Sequence, residues 1–429
     1  MGRWALSPDR PVSAEERDNG RMSAPLARRT ATITPFRVVD VMEAAWAAER
    51  AGRSIVHLEV GEPDFGTPPA VVEAAGKAIA DGRVRYTSSL GIPELREAIA
   101  GYYAERFGVD VPARRVVVTT GASGALLLAL AATVDPDQQV LLADPGYPCN
   151  RNLIRMCEAV PTGIPVGAAT DYQLTAGLVA DRWTPSTRAV LLASPSNPTG
   201  TMVPPAELAA IAAEAEGRGG LCFVDEIYGE LVYDRAPATV LAAPGIGGEA
   251  GTTFVINSFS KTFGMTGWRL GWMICPDWAL PAVEALAQNA FIAPPAPAQY
   301  GGLAAFTPEV WAVVEERRRA FATRRDVLVE GLRAVGFGVP VMPQGAFYVY
   351  ARSDGFDGDS LRLARRLLDE AGVAAVPGLD FGDHEPQAHL RFSYTTSLDQ
   401  IGEGVRRLTA WRAGGGASGQ EGGSSRSPR

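Results

Sequence analysis

The stretch Ser258-Phe259-Ser260-Lys261-Thr262-Phe263-Gly264-Met265-Thr266-Gly267-Trp268-Arg269 places one lysine among serines, glycines and aromatic residues. Lysine is scarce in this chain: only Lys77 and Lys261 occur, and nearly all other positive charge is arginine. An amine can form a Schiff base with an aldehyde, whereas a guanidinium that stays protonated cannot. The retained Lys261 therefore suggests a reactive amine. A solvated surface lysine is the alternative that this segment alone leaves open.

The chain around this segment alternates short apolar strands with helical stretches. We predict strands over residues 116–120, 140–143, 189–193, 221–224 and 253–257. Continuous apolar strands separated by helices are typical of an α/β fold with a mainly parallel sheet covered on both faces. Ligands bind to such sheets at the carboxyl ends of the strands. Polar candidates follow those ends: Ser123, Tyr147, Asn197, Asp225, Ser258 and Lys261.

The two ends of the chain have a different character. Apolar spacing predicts a helix over residues 35–52 and a second one that opens at Pro68-Pro69, with Val71, Val72, Ala75 and Ile79 on one face. Beyond residue 300 we predict a long charged helix over 310–332, strands over 345–350 and 390–394, and a helix over 361–368. Arg391 lies among apolar neighbours in the last strand, so an inward-facing guanidinium there needs an anionic partner.

Composition excludes several classes of protein. The net charge of −8 and the pI of about 5.2 argue against a nucleic-acid-binding protein. Four cysteines lie far apart without a CxxC pair, which is typical of reduced thiols in a cytoplasmic protein. The three histidines form no cluster, and we predict no metal site. The first thirty residues contain no apolar run, so we expect no signal peptide or membrane segment. We expect residues 1–30 to be a disordered extension, with Met22 as a second plausible start, and 413–429 to be a flexible tail.

Together these side chains suggest pyridoxal phosphate chemistry. That cofactor needs an amine for its aldehyde, an acid beside its pyridine nitrogen, donors for its ring hydroxyl and ligands for its phosphate. Lys261 supplies the amine, Asp225 the acid, and Asn197 and Tyr228 the donors. The remaining candidates would hold the phosphate or stack on the ring: Ala122 and Ser123 at a helix start after Gly121, Ser258, Ser260 and Arg269 for the phosphate, and Tyr147 for the ring face.

The order and spacing of these motifs carry a family resemblance. Asn197 stands in Asn-Pro-Thr-Gly, Asp225 follows 28 residues later, Tyr228 three after that, Lys261 after a further 33, and Arg269 after eight. Residues from about 33 to 412 resemble a class I aminotransferase of the aspartate aminotransferase superfamily, which has the fold type I of pyridoxal phosphate enzymes. One position departs from the family pattern, since Cys149-Asn150-Arg151 follows Tyr147-Pro148 where a second tyrosine is usual.

The resemblance implies an architecture and a reaction. It implies a large cofactor-binding domain (61–300) with a mainly parallel seven-stranded sheet, and a smaller α+β domain built from 31–60 and 301–412. It implies ping-pong transamination between small-molecule amino acids and 2-oxo acids, with Lys261, Asp225 and Tyr228 in catalysis. Gly61, Asn197 and Arg391 would contact the substrate. It also implies a homodimer with shared active sites, in which Tyr86 reaches the phosphate of the neighbouring subunit.

Other readings of the same residues stay open at this point. The scaffold also supports β-elimination, as in C–S lyases, and a non-catalytic sensor that binds the cofactor is a remote alternative. An unrelated α/β enzyme that binds a phosphate is a third. The amino donor is not readable from the sequence. No second arginine stands out as a clamp for a distal carboxylate, which argues weakly against strict dicarboxylate specificity.

Overall fold

The computed structural model describes residues 26–246, 248 and 251–416. Residues 1–25 of the predicted extension and residues 417–429 of the predicted tail therefore lie outside the described residues. The described chain starts with an exposed 3-10 helix over Arg28–Thr32. No helix within the described ranges has the length and apolar character needed to span a bilayer.

The described residues contain thirteen α-helices. Within the described residues the α-helices are α1 (Arg37–Arg50), α2 (Pro69–Ala80), α3 (Pro93–Phe107), α4 (Gly121–Thr133), α5 (Pro148–Met156), α6 (Ala176–Arg182), α7 (Pro205–Gly217), α8 (Phe259–Thr262), α9 (Leu280–Ala290), α10 (Ala296–Ala304), α11 (Pro308–Val335), α12 (Ser360–Arg366) and α13 (Leu398–Trp411). Proline opens five of these helices at the first position, where its missing N–H would have no intrahelical partner.

The strands form one large sheet and two small ones. They are β1 (Val56–His57), β2 (Val116–Thr119), β3 (Gln139–Asp144), β4 (Val160–Pro165), β5 (Thr187–Ala193), β6 (Leu221–Asp225), β7 (Thr253–Ser258), β8 (Gly271–Ile274), β9 (Tyr348–Arg352), β10 (Val373–Ala374), β11 (Val376–Pro377) and β12 (His389–Ser393). The large sheet has the order β2-β8-β7-β6-β5-β3-β4. Only β8 runs antiparallel to its neighbours, so the predicted mainly parallel, seven-stranded sheet is confirmed.

The continuous apolar runs of the strands are explained by burial on both faces of this sheet. Along β6, Cys222 and Val224 point into one hydrophobic cluster, whereas Leu221 and Phe223 point into another. Strands β2, β3, β5 and β7 divide their side chains between the same two clusters. Because successive side chains of a strand face opposite sides, a sheet with helices on both faces selects apolar residues at every position.

The smaller α+β domain is built from both ends of the chain. Near the N-terminus, β1 pairs in parallel with β10, with Val56 opposite Val373. Strands β11, β12 and β9 form an antiparallel sheet. A separate hydrophobic core joins Val56 and Leu58 to side chains of α11, β9, β12 and α13. Within this antiparallel sheet, Arg391 in the middle of β12 lies opposite Tyr350 of β9.

The structure corrects two local predictions. The predicted apolar face of α2 is wrong, because Val71 and Ala75 are buried but Val72 and Ile79 are 49% and 56% exposed. The buried face of α2 instead continues to Ala78 and packs against α10. The strand predicted over 345–350 begins three residues later, at Tyr348, because the preceding residues form a turn in which Ala346 has a φ of +56°.

Candidate active site

One cavity of about 350 Å³ opens at the carboxyl ends of the parallel strands. It lies where β5, β6 and β7 end and where α4 and α5 begin. Twelve of the thirteen site residues predicted from the sequence line this cavity: Gly61, Ala122, Ser123, Tyr147, Asn197, Asp225, Tyr228, Ser258, Ser260, Lys261, Arg269 and Arg391. The structure thus brings together residues as distant in the sequence as Gly61 and Arg391.

Tyr86 is the predicted site residue that this cavity does not include. Its side chain is 83% exposed, on the loop between α2 and α3. Its predicted contact with the phosphate of a neighbouring subunit stays a prediction.

Lys261 lies on the short helix α8, directly after β7. Its Nζ atom donates a hydrogen bond of 2.7 Å to the carbonyl oxygen of Gly61, which lies on the segment that leaves β1. Desolvation in the cavity wall lowers the pKa of this amine to about 8, and the nearby guanidinium groups of Arg391 and Arg269 act in the same direction. The carboxylates of Glu62 and Asp225 oppose the shift. A neutral amine is therefore accessible at a pH where an ordinary lysine is fully protonated.

Asp225 ends the central strand β6 and faces the same cavity. Burial raises the pKa of its carboxyl group to about 6. The backbone N–H of Ile227, which donates to Oδ1 at 3.0 Å, and the positive charge of Lys261 limit that rise. Asp225 is consequently a carboxylate at neutral pH, and a cation placed beside it would be stabilised.

Arg391 extends into the cavity from β12 of the small domain. It is 2% exposed and donates to Asn197 Oδ1 at 3.1 Å and to the carbonyl oxygen of Glu59 at 2.5 Å. Its guanidinium carbon lies 4.5 Å from the centre of the Tyr348 ring, and its buried Nε has no hydrogen-bond partner within the described residues. A buried cation with neutral partners and a free donor is suited to receive a carboxylate.

Two tyrosines line the same cavity as Arg391 and Asp225. The hydroxyl groups of Tyr228 and Tyr348 are 2.9 Å apart, and their rings meet edge to face. Burial raises the pKa of both phenols, so both remain protonated donors. Tyr348 is a site residue that sequence reasoning missed. Its strand was recognised, but the alternation of β9 does not reveal which of its aromatic side chains meets the cavity.

The start of α4 forms a cradle of a size and chemistry that fit a phosphate. Gly121 has a φ of +79°, and a Cβ atom there would lie 2.7 Å from the guanidinium of Arg269. A Cβ atom on Gly271 would lie 2.7 Å from the backbone of Gly121. The absence of a side chain at Gly121 lets Arg269 approach the helix start, and its absence at Gly271 lets β8 lie against the same turn. Free N–H groups at a helix start favour an anion. The hydroxyl groups of Ser258 and Ser260, 2.9 Å apart, lie at the same cavity.

The remaining wall of the cavity is largely apolar and comes from α1 and its neighbours. Phe36, Val38, Val39 and Met42 line it at the start of α1, opposite side chains of α4 and α5. The Phe36 ring meets Tyr147 edge to face, with 6.0 Å between the ring centres. Sequence reasoning predicted α1 but not its place at the cavity, because the position of a helix in space depends on tertiary packing.

Comparisons with known proteins agree with this arrangement. A family model described as "Aminotransferase class I and II" matches residues 53–408. The chain is 41% identical over 383 residues to the "Valine--pyruvate aminotransferase" of Mycobacterium tuberculosis, covering 89% of this chain and 97% of that protein. It is 35% identical over 388 residues to the "Aspartate/prephenate aminotransferase" of Thermus thermophilus, covering 89% and 97%.

Solved structures give the same result for the fold. The crystal structure of an aminotransferase from Mycobacterium tuberculosis matches with a TM-score of 0.87 and 40% identity, over 91% of this chain and all of that one. The aspartate aminotransferase from Thermus thermophilus with maleate matches with a TM-score of 0.84 and 34% identity, over 90% of this chain and all of that one.

Proposed function

The chain belongs to the aminotransferase class I and II family, and from this premise we propose which residues carry the reaction and which amino acids it accepts. The protein is a transaminase that uses pyridoxal 5'-phosphate to move an amino group between an amino acid and a 2-oxo acid. When bound, the cofactor supplies an aldehyde and an electron-withdrawing ring that stabilises negative charge at the substrate Cα. The residues around the cavity then divide the remaining tasks.

Lys261 is assigned two roles: it holds the aldehyde, and its freed Nζ moves the proton from the substrate Cα. The lowered pKa of about 8 supports this assignment, because a base must be neutral to accept a proton. Asp225 is assigned to the pyridine nitrogen, where its carboxylate favours the protonated ring. Tyr228 and Asn197 are assigned to the ring hydroxyl. The support for these roles is their shared cavity and the burial that keeps the Tyr228 phenol a donor.

Arg391 is assigned to the α-carboxylate of the amino acid, with Asn197 and Gly61 beside it. Its burial and its free Nε support this role. Arg269, Ser258, Ser260, Ser123 and the N–H group of Ala122 are assigned to the phosphate. Tyr147 is assigned to the face of the ring.

We infer further that the preferred donor is an amino acid with an apolar side chain. The observation that carries this inference is the division of charge in the cavity. Among its described lining residues the cations are Lys261, Arg269 and Arg391, and each already has a role. No lining cation is left for a second carboxylate, and α1 presents Phe36, Val38, Val39 and Met42. The name of the relative from Mycobacterium tuberculosis, a valine–pyruvate aminotransferase, supports the same class of donor.

The test is a donor screen with purified enzyme. Valine, alanine, methionine, phenylalanine and aspartate are supplied in turn with pyruvate or 2-oxoglutarate as the acceptor. We expect kcat/KM for valine to exceed that for aspartate at least about tenfold, because an unpaired buried carboxylate costs more than one decade in affinity. Higher kcat/KM for aspartate would overturn the proposed donor class. Release of pyruvate from added L-cystathionine over many turnovers without any acceptor would instead identify a lyase, because a transaminase without an acceptor stops after one turnover.

We also propose that the enzyme is a cytoplasmic homodimer, with a role in amino-acid biosynthesis. Apolar side chains at Val72, Ile79 and Val84 are exposed close to Tyr86 in the sequence, and such patches favour association. A cleft of about 610 Å³ adjoins the active-site cavity and shares Glu62 and Thr266 with it. A neighbouring subunit there would bring its Tyr86 toward the phosphate. All four cysteines are free thiols, which suits a reducing compartment.

A further inference from the structure

The first turn of α1 forms part of the substrate wall, yet it lacks a cap of its own. The residue before the helix is Phe36, whose side chain accepts no hydrogen bond from the exposed N–H groups. Of the fourteen residues of α1, all within the described part of the chain, only Ala44 and Ala45 are buried. Val38 and Val41 pack only partly buried against hydrophobic clusters, so apolar packing contributes less to fixing the first turn than full burial would.

Asp380 caps this helix from the other end of the chain. Its Oδ1 accepts the N–H of Arg37 at 3.0 Å, and its Oδ2 accepts the N–H of Val38 at 3.3 Å. Asp380 is 7% exposed, so these two bonds form away from bulk water. A carboxylate at a helix start satisfies free N–H donors and interacts favourably with the helix dipole.

The segment that carries Asp380 is itself fixed to the large domain. The carbonyl oxygen of the next residue, Phe381, accepts the N–H of Gly146 at 2.8 Å and Nη1 of Arg151 at 2.7 Å. Gly146 directly precedes Tyr147, the residue proposed to cover the cofactor ring, and Arg151 follows Tyr147 by four residues. The buried Phe381 ring lies 5.2 Å from the guanidinium carbon of Arg391. Asp380 therefore connects the start of α1 to a segment that also contacts the large domain and Arg391, the residue proposed to bind the carboxylate.

We propose that Asp380 is a positioning residue for donor specificity: it holds the first turn of α1, with Val38 and Val39, against the side chain of the amino acid. This inference rests on the proposed donor class. Every amino acid presents the same α-carboxylate to Arg391, whereas only donors with long side chains reach α1. Loss of the cap therefore changes the ratio of kcat/KM between long and short donors and leaves the cofactor site unchanged.

The experiment compares Asp380→Ala and Asp380→Asn with Asp383→Asn as a matched control. Asp383 lies in the same loop and carries the same charge, but its side chain is exposed. For each variant kcat and KM are measured with alanine and with the best long apolar donor of the wild type, alongside the cofactor absorbance and the melting temperature. The alanine variant lowers the ratio of kcat/KM, long donor over alanine, about five- to tenfold through KM, the size expected from a lost helix cap. Asparagine keeps one acceptor and gives a smaller loss, and the control leaves the ratio unchanged.

Several outcomes separate this inference from the proposed function. An equal loss with both donors, or an unchanged ratio in Asp380→Ala, would overturn the positioning role. A further variant, Val39→Ala, makes the test sharper: the effect of Asp380→Ala on the ratio should shrink at least about twofold in that background, because the cap acts through this wall. A wild type that prefers aspartate would overturn the donor class alone, since the ratio between its best long apolar donor and alanine can still be measured.

Discussion

Lys261 and Asp225 share one cavity, and burial moves their pKa values toward each other. The pKa of the lysine falls to about 8, and that of the aspartate rises to about 6. Between these values the carboxylate is ionised while part of the amine is neutral. Desolvation therefore prepares a base at Lys261, whereas the N–H of Ile227 and the charge of Lys261 keep the pKa of Asp225 low enough for a carboxylate at neutral pH.

The lowered pKa of Lys261 predicts how the cofactor-free enzyme recovers its cofactor. Only the neutral amine attacks an aldehyde, so the rate of reconstitution should rise about tenfold per pH unit below pH 8 and level off above it. Stopped-flow absorbance after adding pyridoxal phosphate, between pH 7 and 10, measures this rate. A rate that keeps rising to pH 10 would mean an ordinary lysine.

Arg391 permits a second test at the residue scale. A hydrogen bond to a charged group is worth roughly 1.5–3 kcal/mol, so Arg391→Ala should raise KM for every amino donor at least about tenfold. Arg391→Lys keeps the charge but loses the planar pair of donors, and we expect a smaller rise. Cofactor absorbance serves as the control, since the phosphate cradle lies elsewhere. A KM within twofold of the wild type would remove Arg391 from substrate binding.

At the scale of elements, strand ends were predictable and helix faces were not. The apolar runs of β5, β6 and β7 predict buried parallel strands, and the polar residues after them therefore predict Asn197, Asp225 and Lys261 as neighbours. The sequence of α2 has small or apolar residues on several sides of the helix. Its periodicity therefore does not reveal that Val72 and Ile79 face solvent and not the core. Tyr348 and α1 depend on packing between distant segments, which no local pattern contains.

His57 links β1 to α1 and makes their contact sensitive to pH. Its Nδ1 lies 2.6 Å from Glu59 Oε1, and its Nε2 lies 3.2 Å from Glu49 Oε1. The hydrogen bond with Glu59 is the main cause that raises the pKa of His57 to about 9. Because the folded state holds this proton more tightly than the unfolded chain, its stabilisation is complete below pH 6.5 and is lost as the pH rises through 9.

The substitution His57→Gln should therefore cost most at low pH. We expect its urea midpoint to lie well below that of the wild type at pH 6.5, and the difference to shrink by pH 9.5. Urea unfolding of both proteins across this range, followed by fluorescence, measures the difference. A gap that is constant with pH would show that the proton on His57 does not stabilise the fold.

At the scale of the whole molecule, both chain ends contribute to the site, and the proposed neighbouring subunit would complete it. Contacts between the segment after β1 and β12 bring Gly61 and Arg391 to the Lys261 cavity. The sequence predicted this two-ended domain through family resemblance, not through any local pattern. Tyr86 is exposed in the single chain, and its proposed role requires a second copy.

Hybrid dimers test whether the active sites are shared. Lys261→Ala subunits should be inactive, and Tyr86→Phe should weaken cofactor binding about tenfold through one lost phosphate contact. In a mixed dimer of these two variants, the site that keeps Lys261 receives Tyr86 from the Lys261→Ala subunit. This site should regain wild-type affinity for the cofactor. Refolded mixtures, separated by two affinity tags and titrated with the cofactor, measure this recovery. If mixing restores nothing, Tyr86 does not act across the interface.

Lys261 is the amine proposed to carry pyridoxal phosphate. The chain contains only one other lysine, Lys77, which is exposed on α2 and paired with Asp81 at 3.1 Å. Borohydride reduction of the purified, cofactor-bound enzyme, followed by peptide mass spectrometry, locates the covalent attachment. We expect the pyridoxyl phosphate adduct on the peptide that contains Lys261, and no visible cofactor absorbance in Lys261→Ala. An adduct on Lys77 alone, or a Lys261→Ala enzyme that keeps its colour and turnover, would rule out Lys261 as this amine.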